Sequence, residues 1–232
     1  MKTLPWILIF AVAGVLMSCH EEDPGPRQND SRSYALVDFD RLEMGDAFIV
    51  TVQKGAVFSI SAEGDRRNLD DLMIYKSGTT LIAKYDNYRN RQYNTYINIV
   101  MPELNSINFS GAVNAKVIDF SSARLDVTLS GATLAQLDMD AAEVYANVSG
   151  ASQLRLTGEG QKMEGVISGA SLINTFEFPA REGKLIVSGA STARVTLSEQ
   201  LRGDASGASV VLYRGNPIVD IKVSGSSVVR KD

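Results

Sequence analysis

A short phrase, an apolar residue followed by serine, glycine and alanine, recurs seven times between residues 109 and 226 of this 232-residue chain. Alanine follows every glycine of the phrase except the last, where Ser226 takes its place. The intervals between successive glycines are 20, 19, 19, 20, 18 and 18 residues. The glycines are Gly111, Gly131, Gly150, Gly169, Gly189, Gly207 and Gly225. So regular a repeat indicates stacked copies of one structural unit.

The residues around each glycine alternate between apolar and polar. The positions two residues before and four residues after the glycine are apolar in every copy, and polar residues such as Asn108, Thr128 and Asn147 lie next to them. Period-two alternation is typical of strands that bury one face. No stretch of the repeat has helical periodicity, so the sequence predicts an all-β fold.

The length of the repeat selects the architecture. A βαβ unit needs about 30 residues and a propeller blade about 40, which is more than one repeat offers. One coil of a single-stranded parallel β-helix fits 18–20 residues, and right-handed winding is what chirality favours. The glycines would form one corner of each coil. The serines that follow the corner would form a hydrogen-bonded ladder along the rod, or alternatively a polar strip that recognises sugar; they are Ser152, Ser171, Ser191 and Ser209.

The preceding segment, residues 34–105, is rich in strand-forming residues but lacks the phrase. Apolar runs at 47–52 and 57–62 predict two strands that are separated by a tight turn at Lys54–Gly55. A brief helical turn is expected at 69–73. We interpret 34–105 as an N-terminal β cap with irregular coils, and 106–232 as the repeat coils of the same domain, because a solenoid needs a cover over its first coil.

The N-terminus is typical of a bacterial lipoprotein. An apolar stretch from Leu4 to Met17 follows Lys2, which indicates a signal peptide over residues 1–18. Leu16–Cys19 resembles a lipobox, so Cys19, the sole cysteine, is the expected lipidation site. Residues 19–33 are then a lipidated cysteine and a disordered tether. The acidic run at 21–23 resembles a signal that directs lipoproteins to the outer surface of the outer membrane. If this run is only a solvated linker, a periplasm-facing location is the alternative.

The serine-glycine repeats, the segment Pro102–Ile107 and the strands before it together resemble the head GIN domain family, from about residue 35 to the C-terminus. Members of this family are described as auto-transporter adhesins and are often bacterial lipoproteins. The resemblance implies a right-handed β-helix and an adhesin-like role. It supplies no catalytic residues.

One segment between Tyr85 and Tyr96 has the composition of a binding loop. Tyrosine, asparagine and arginine combine rigid contact area with adaptable hydrogen bonds. The candidate ligand-binding residues are Tyr85, Tyr88, Arg89, Arg91, Tyr93 and Tyr96. The alternative is a polar hairpin whose tyrosines cover the cap.

The composition argues against several kinds of chemistry. A formal net charge of −4 without a basic stripe argues against nucleic acid as a partner. The only histidine, His20, lies in the expected tether, so triads and zinc sites that need histidine or cysteine are excluded from the folded part. We therefore expect no enzyme, no metal site and no cofactor. A carboxylate-based polysaccharide-active enzyme, with Asp138 and Asp140 on one strand face and Asp119 one coil below, and an oxygen-ligated calcium site are the remaining alternatives.

The sequence thus favours a non-catalytic envelope lipoprotein that binds a glycan or a protein, with a membrane anchor on Cys19. The alternative is an assembly component of the envelope that acts as a homo-oligomer. The last strands bear on this alternative, because Arg230–Asp232 could discourage edge pairing, or the edge could bind a partner or another copy.

Overall fold

The computed structural model describes residues 25–232, which form 17 strands and one short helix. The strands of the first part are β1 (Asn29–Tyr34), β2 (Arg41–Met44), β3 (Ile49–Lys54), β4 (Ser59–Asp65), β5 (Leu72–Ser77), β6 (Thr80–Tyr85), β7 (Tyr96–Met101) and β8 (Ser106–Phe109), with helix α1 (Arg66–Asp70) after β4. The remaining strands are β9 (Asn114–Leu129), β10 (Leu134–Val148), β11 (Gln153–Thr157), β12 (Gly160–Ile167), β13 (Leu172–Val187), β14 (Thr192–Ala205), β15 (Val210–Arg214), β16 (Ile218–Val223) and β17 (Val228–Lys231).

The repeat region winds as a parallel β-helix, which confirms the predicted fold class. Each coil but the last pairs in parallel with the coils before and after it; in β10, for example, Val148 pairs with Leu129 of β9 and Ile167 of β12. Alternate side chains point inward, as Leu154 and Leu156 do in β11, and form one continuous apolar core. Hydrogen-bonded strands lie about 4.8 Å apart, so each repeat lengthens the rod by that distance.

The repeated glycine stands at a corner where only glycine fits. All seven glycines have a positive φ, between 68° and 78°. The N–H of the residue after each glycine donates to the carbonyl oxygen at the corner of the previous coil, at 2.7–2.8 Å. This contact brings the backbones so close that a Cβ on Gly131 would lie 2.4 Å from the oxygen of Gly111. Both the dihedral angle and the close approach therefore require glycine.

The first corner of the stack is formed by an aspartate that the repeat pattern does not reveal. Asp46 has a φ of 60°, and its carbonyl oxygen accepts the Ala112 N–H at 2.7 Å, as each glycine does one coil later. The coil of β2 and β3 that contains Asp46 pairs with β8 and β9. The parallel β-helix therefore begins one coil before the first glycine of the repeat.

The serines after the corner are buried and form the predicted ladder. Their hydroxyl groups donate mainly to backbone carbonyl oxygens of the preceding coil, which satisfies them inside the apolar core. Ser152 donates to Gly131 at 3.4 Å, Ser171 to Gly150 at 3.3 Å and Ser191 to Gly169 at 3.2 Å. Because these hydroxyl groups point inward, the ladder stabilises the rod rather than forming an outer strip.

A cap with antiparallel strands covers the N-terminal end. After β3 the chain passes beneath the first coil, where β4 pairs antiparallel with β1 and β7, and β5 with β6. Strand β8 then returns above β2, so β2 lies between β6 and β8. Likewise β7 pairs with both β3 and β4. The two strands predicted on either side of Lys54–Gly55 are therefore not neighbours, because β7 separates them.

Two other expectations for the N-terminal region need correction. Strand β1 begins at Asn29, so residues 29–33 belong to the cap and not to the predicted tether of 19–33. Their polar side chains bind the cap; the Arg32 guanidinium, for example, donates to the Leu69 carbonyl oxygen at 2.6 Å. The helical turn expected at 69–73 begins earlier, at Arg66, because Asp65 caps it. The predicted signal peptide and Cys19 lie outside the described residues.

Candidate binding site

The tyrosine- and arginine-rich segment predicted as a binding loop is built largely into the cap. The Tyr85 ring lies 4.8 Å from the Phe48 ring, and the guanidinium carbon of Arg91 lies 3.5 Å from the centre of the Tyr85 ring. The Tyr85 hydroxyl donates to Oγ1 of Thr95 at 2.6 Å. Burial raises the pKa of Tyr85. This side chain is a structural contact of the cap.

Arg89 and Arg91 converge on one carboxylate. The nearest nitrogens of their guanidinium groups lie 2.5 Å and 2.9 Å from Oδ2 of Asp71. Burial opposes ionisation of Asp71, but hydrogen bonds from Arg89 and Asn87 together with the positive charges hold its pKa below the usual value. Both arginines are therefore engaged in holding the segment 86–91 against the cap.

The remaining tyrosines of the segment point in different directions. The Tyr93 hydroxyl donates to the Gly25 carbonyl oxygen at 3.0 Å, and the Tyr93 carbonyl accepts from Asn68 at 2.8 Å. Tyr96 begins β7 and is only 37% exposed, whereas Tyr88 is fully exposed. The structure thus does not gather the six predicted residues into one surface.

The carboxylates considered for a polysaccharide-active site have structural contacts. Asp138 accepts a hydrogen bond from the Thr157 hydroxyl at 3.2 Å, and Asp140 accepts from the Glu159 N–H at 2.9 Å. Asp119, with a φ of 64°, is the extra residue where the register between β9 and β10 shifts. Across residues 25–232, no three histidine, cysteine, aspartate or glutamate side chains are grouped so that they could hold a metal ion.

A shallow groove of about 280 Å³ lies on the outer side of the rod. It crosses β9, β10, β12 and β13 near their C-terminal ends, and we call it the side groove. The side groove is lined by Asp126, Val127, Thr128, Tyr145, Ala146, Asn147, Glu164, Gly165, Val166, Lys184 and Ile186. It is slightly smaller than most small-molecule pockets, which suits a surface contact rather than an enclosed ligand.

Two exposed apolar side chains distinguish the side groove from the surrounding surface. Val166 and Ile186 are 45% and 42% exposed and are paired neighbours on successive coils. The same outward column is polar on both sides of them; the other members are Asn108, Thr128, Asn147, Asp204 and Lys222. Exposing an aliphatic pair to water is unfavourable unless another surface covers it, so this pair stands out in a polar column.

Charges of both signs lie beside these aliphatic side chains. The guanidinium carbon of Arg124 lies 4.1 Å from the centre of the Tyr145 ring, and the Tyr145 hydroxyl donates to Glu143 at 2.9 Å. Glu164 forms an ion pair with Lys162 at 2.6 Å, and the hydrogen bond from Lys162 lowers the pKa of Glu164. The side groove therefore has an apolar floor and a charged, ordered edge.

The sequence contains a signal for the side groove in the outward positions of the repeat. Aligned on the glycine, the position three residues before it is polar in most copies but is Val166 and Ile186 in two successive copies. Outward apolar residues in neighbouring coils meet in space, so this departure from the alternation marks the patch.

Comparisons with known proteins agree on the fold. The family model described as "Putative auto-transporter adhesin, head GIN domain" matches residues 38–217. No protein in the curated set matches the chain. Between residues 25 and 232, no helix has the length and apolar character needed to cross a membrane.

Several solved structures share this fold. A "putative adhesin" from Bacteroides fragilis superposes with a TM-score of 0.81 at 16% identity, over 89% of this chain and 97% of that one. A "putative adhesin" from Parabacteroides distasonis has a TM-score of 0.70 at 13% identity, with 90% and 98% covered. A "putative lipid binding protein" from the same species has a TM-score of 0.69 at 15% identity, with 88% and 96% covered. At these identities the likeness is one of fold.

Proposed function

Because the chain belongs to the head GIN domain family, whose model is described as "Putative auto-transporter adhesin", we propose that it is a non-catalytic, adhesin-like binding module of the bacterial surface. The observation that carries this proposal is the side groove, where Val166 and Ile186 stand exposed in an otherwise polar column. An exposed apolar patch on the side of a rod offers a preformed surface for binding another molecule.

The chemistry of the side groove favours a protein segment as the ligand. Its aliphatic floor would cover an apolar side chain, and Glu164 and Lys184 beside it would select the charges that flank that side chain. Tyr145 is the only aromatic residue that lines the side groove, and Arg124 covers one face of its ring, so that face is not free for stacking on a sugar. The loop around Tyr88 remains a second predicted contact.

The proposed location is the outer membrane, with a lipid on Cys19 and the rod facing outward. The lipobox-like residues Leu16–Cys19 support the anchor. The position of Gly25 against Tyr93 supports an entry of the chain from the capped end. The absence of catalysis is proposed from the family description, which names an adhesin and not an enzyme.

The proposal can be tested by probing an array of matrix proteins and glycans with residues 20–232. The informative variants are Val166→Asp and Ile186→Asp, which place a charge in the side groove. The matched control is Val57→Asp, since Val57 is 75% exposed and belongs to the connection between β3 and β4. We expect the groove variants, but not the control, to lower binding by about tenfold or more.

Three results would contradict the proposal in different ways. Binding that survives both groove variants but is lost in Tyr88→Ser would move the site to the loop. A folded wild-type protein that binds no protein and no glycan would remove the adhesin-like role itself. Release of oligosaccharide by the wild type, lost in Asp138→Ala, would contradict a non-catalytic module.

A further inference from the structure

The last described coil leaves core positions uncovered. Val219 and Val223 of β16 continue the inward columns of Leu201 and Ala205, both of which are fully buried. In the last coil the same positions are 39% and 52% exposed. These valines point inward, but their side toward the end of the rod is open, where the next coil of a longer solenoid would lie.

The backbone of this coil is also open. Strand β16 pairs along one edge with β14, and β17 pairs along one edge with β15. Within residues 25–232, no strand lies opposite their other edges. The opposite end of the rod differs, because α1 and the antiparallel strands of the cap cover it. A partner that adds a strand can therefore pair with β16 or β17, and β16 is the longer of the two.

The sequence of β16 is complementary to itself in the antiparallel direction. It reads Val219-Asp220-Ile221-Lys222-Val223, with apolar residues inward and one charge of each sign outward. If two copies pair about a two-fold axis at Ile221, Val219 of one copy faces Val223 of the other. Asp220 then faces Lys222, and this pair occurs twice. Opposite charges at facing positions stabilise an antiparallel pair.

We propose that a second copy of this chain binds at β16, antiparallel and in this register. The added strand extends the alternating charges of the outer surface. In one copy Arg202 pairs with Asp220, and Asp204 with Lys222. The second copy places its Lys222 beyond Asp220 and its Asp220 beyond Lys222, so both outer columns continue to alternate in sign across the interface.

This contact limits the assembly to two copies. A two-fold contact uses the same surface of both chains, so it closes on itself and leaves the covered caps at the far ends. The family match ends at residue 217, so β16 lies outside it and the proposal concerns this chain in particular. It does not depend on the ligand of the side groove, and its test can fail while the adhesin-like proposal stands.

The decisive experiment uses two charge reversals and their mixture. Sedimentation velocity of residues 20–232, which contain every described element, should show a concentration-dependent dimer. Asp220→Lys alone and Lys222→Asp alone each place like charges opposite each other and should weaken the dimer about tenfold or more. An equimolar mixture should restore it, because every facing pair across the mixed dimer is then complementary.

A single cysteine tests the register. Facing residues of an antiparallel pair have Cα atoms about 4.5–5.5 Å apart, within the range that a disulfide spans. Since residues 20–232 contain no native cysteine, Ile221→Cys should form a linked dimer on mild oxidation, and Val57→Cys should not. A wild type that stays monomeric at all concentrations, or a dimer that neither reversal weakens, would overturn the proposal.

Discussion

Asp46 and Gly111 stand at the same corner of two successive coils, and the Asp46 carbonyl oxygen accepts the N–H of the residue that follows Gly111 at 2.7 Å. Both residues have left-handed backbone angles, with φ of 60° and 72°. The two corners differ in the atoms that lie next to them on the side of the cap. A Cβ on Gly111 would be 2.5 Å from the Asp46 oxygen, whereas the Asp46 side chain accepts the Tyr85 N–H at 3.0 Å. Position in the stack decides which residue the corner accepts.

Exchanging the two residue types at these corners should have opposite consequences. Asp46→Gly keeps the backbone angle and loses one exposed hydrogen bond, so we expect the free energy of unfolding to change by less than about 1 kcal/mol. Gly111→Asp forces a side chain into the carbonyl of the coil below and should cost about 3 kcal/mol or more. Urea unfolding of the two variants measures the difference, and equal costs would show that the corner is not closely stacked.

A corner in the middle of the rod should be as intolerant as the first. Gly169→Ala places a Cβ 2.4 Å from the Gly150 oxygen in addition to the strain of a positive φ. The control is Gly78→Ala, at a φ of 58° with nothing within 4 Å of the added carbon. We expect about 1 kcal/mol for Gly78→Ala, from backbone strain alone, and about 3 kcal/mol or more for Gly169→Ala. If backbone strain were the whole cost, thermal and urea unfolding would show a similar loss of stability in both variants.

The stability of the cap should fall in acid because of Asp65. This carboxylate is 1% exposed and caps α1, accepting from the Arg67 backbone at 3.0 Å and its guanidinium at 2.7 Å. Hydrogen bonds from Arg67 hold the pKa of Asp65 far below its usual value. A lowered folded-state pKa stabilises the protein above the unfolded-state pKa of about 3.9, and this contribution is lost as pH falls toward the folded-state pKa.

The corresponding variant is Asp65→Asn, which keeps the shape of the side chain but not the charge. We expect it to lower the free energy of unfolding by about 1.5–3 kcal/mol at pH 7. Between pH 5 and about pH 2 the wild type should lose more stability than the variant, since the variant has no carboxylate to protonate there. Parallel loss in both proteins over that range would assign the acid sensitivity to other groups.

Within the tyrosine-rich segment, two substitutions should separate structural from exposed residues. Tyr85→Phe removes the hydroxyl that donates to Thr95 and leaves a buried hydroxyl acceptor, so a cost of about 1 kcal/mol is expected. Tyr88→Ser changes a fully exposed ring and should leave stability within about 0.5 kcal/mol of the wild type. Urea unfolding of both variants provides the comparison. A larger cost for Tyr88→Ser would mean that this ring packs against the cap.

Local periodicity predicted the solenoid correctly but not the arrangement of its first coils. Each repeated coil stacks on its sequence neighbour, so spacing and alternation suffice for residues 106–232. In the cap, β7 separates β3 from β4, a long-range pairing that no local pattern encodes. The coil at Asp46 has the apolar positions of the repeat, but the lack of a glycine concealed it.

The candidate site was harder to predict because exposure depends on what lies one coil away. Composition singled out Tyr85 and Arg91, but their contacts with Phe48 and Asp71 are made across the cap and leave no local pattern. Val166 and Ile186 look like ordinary strand residues in isolation. Only the register of β12 on β13 brings them together on the outer surface.

The cap and the last coil lie at opposite ends of one axis, and Gly25 is bound at the cap by Tyr93. Any anchor that precedes Gly25 therefore leaves the rod at the end remote from β16. Two chains joined at β16 would carry any such anchors at the two extremities of a doubled rod, pointing in opposite directions. With both anchors in one bilayer, the doubled rod would have to lie along the membrane and could not stand upright on it.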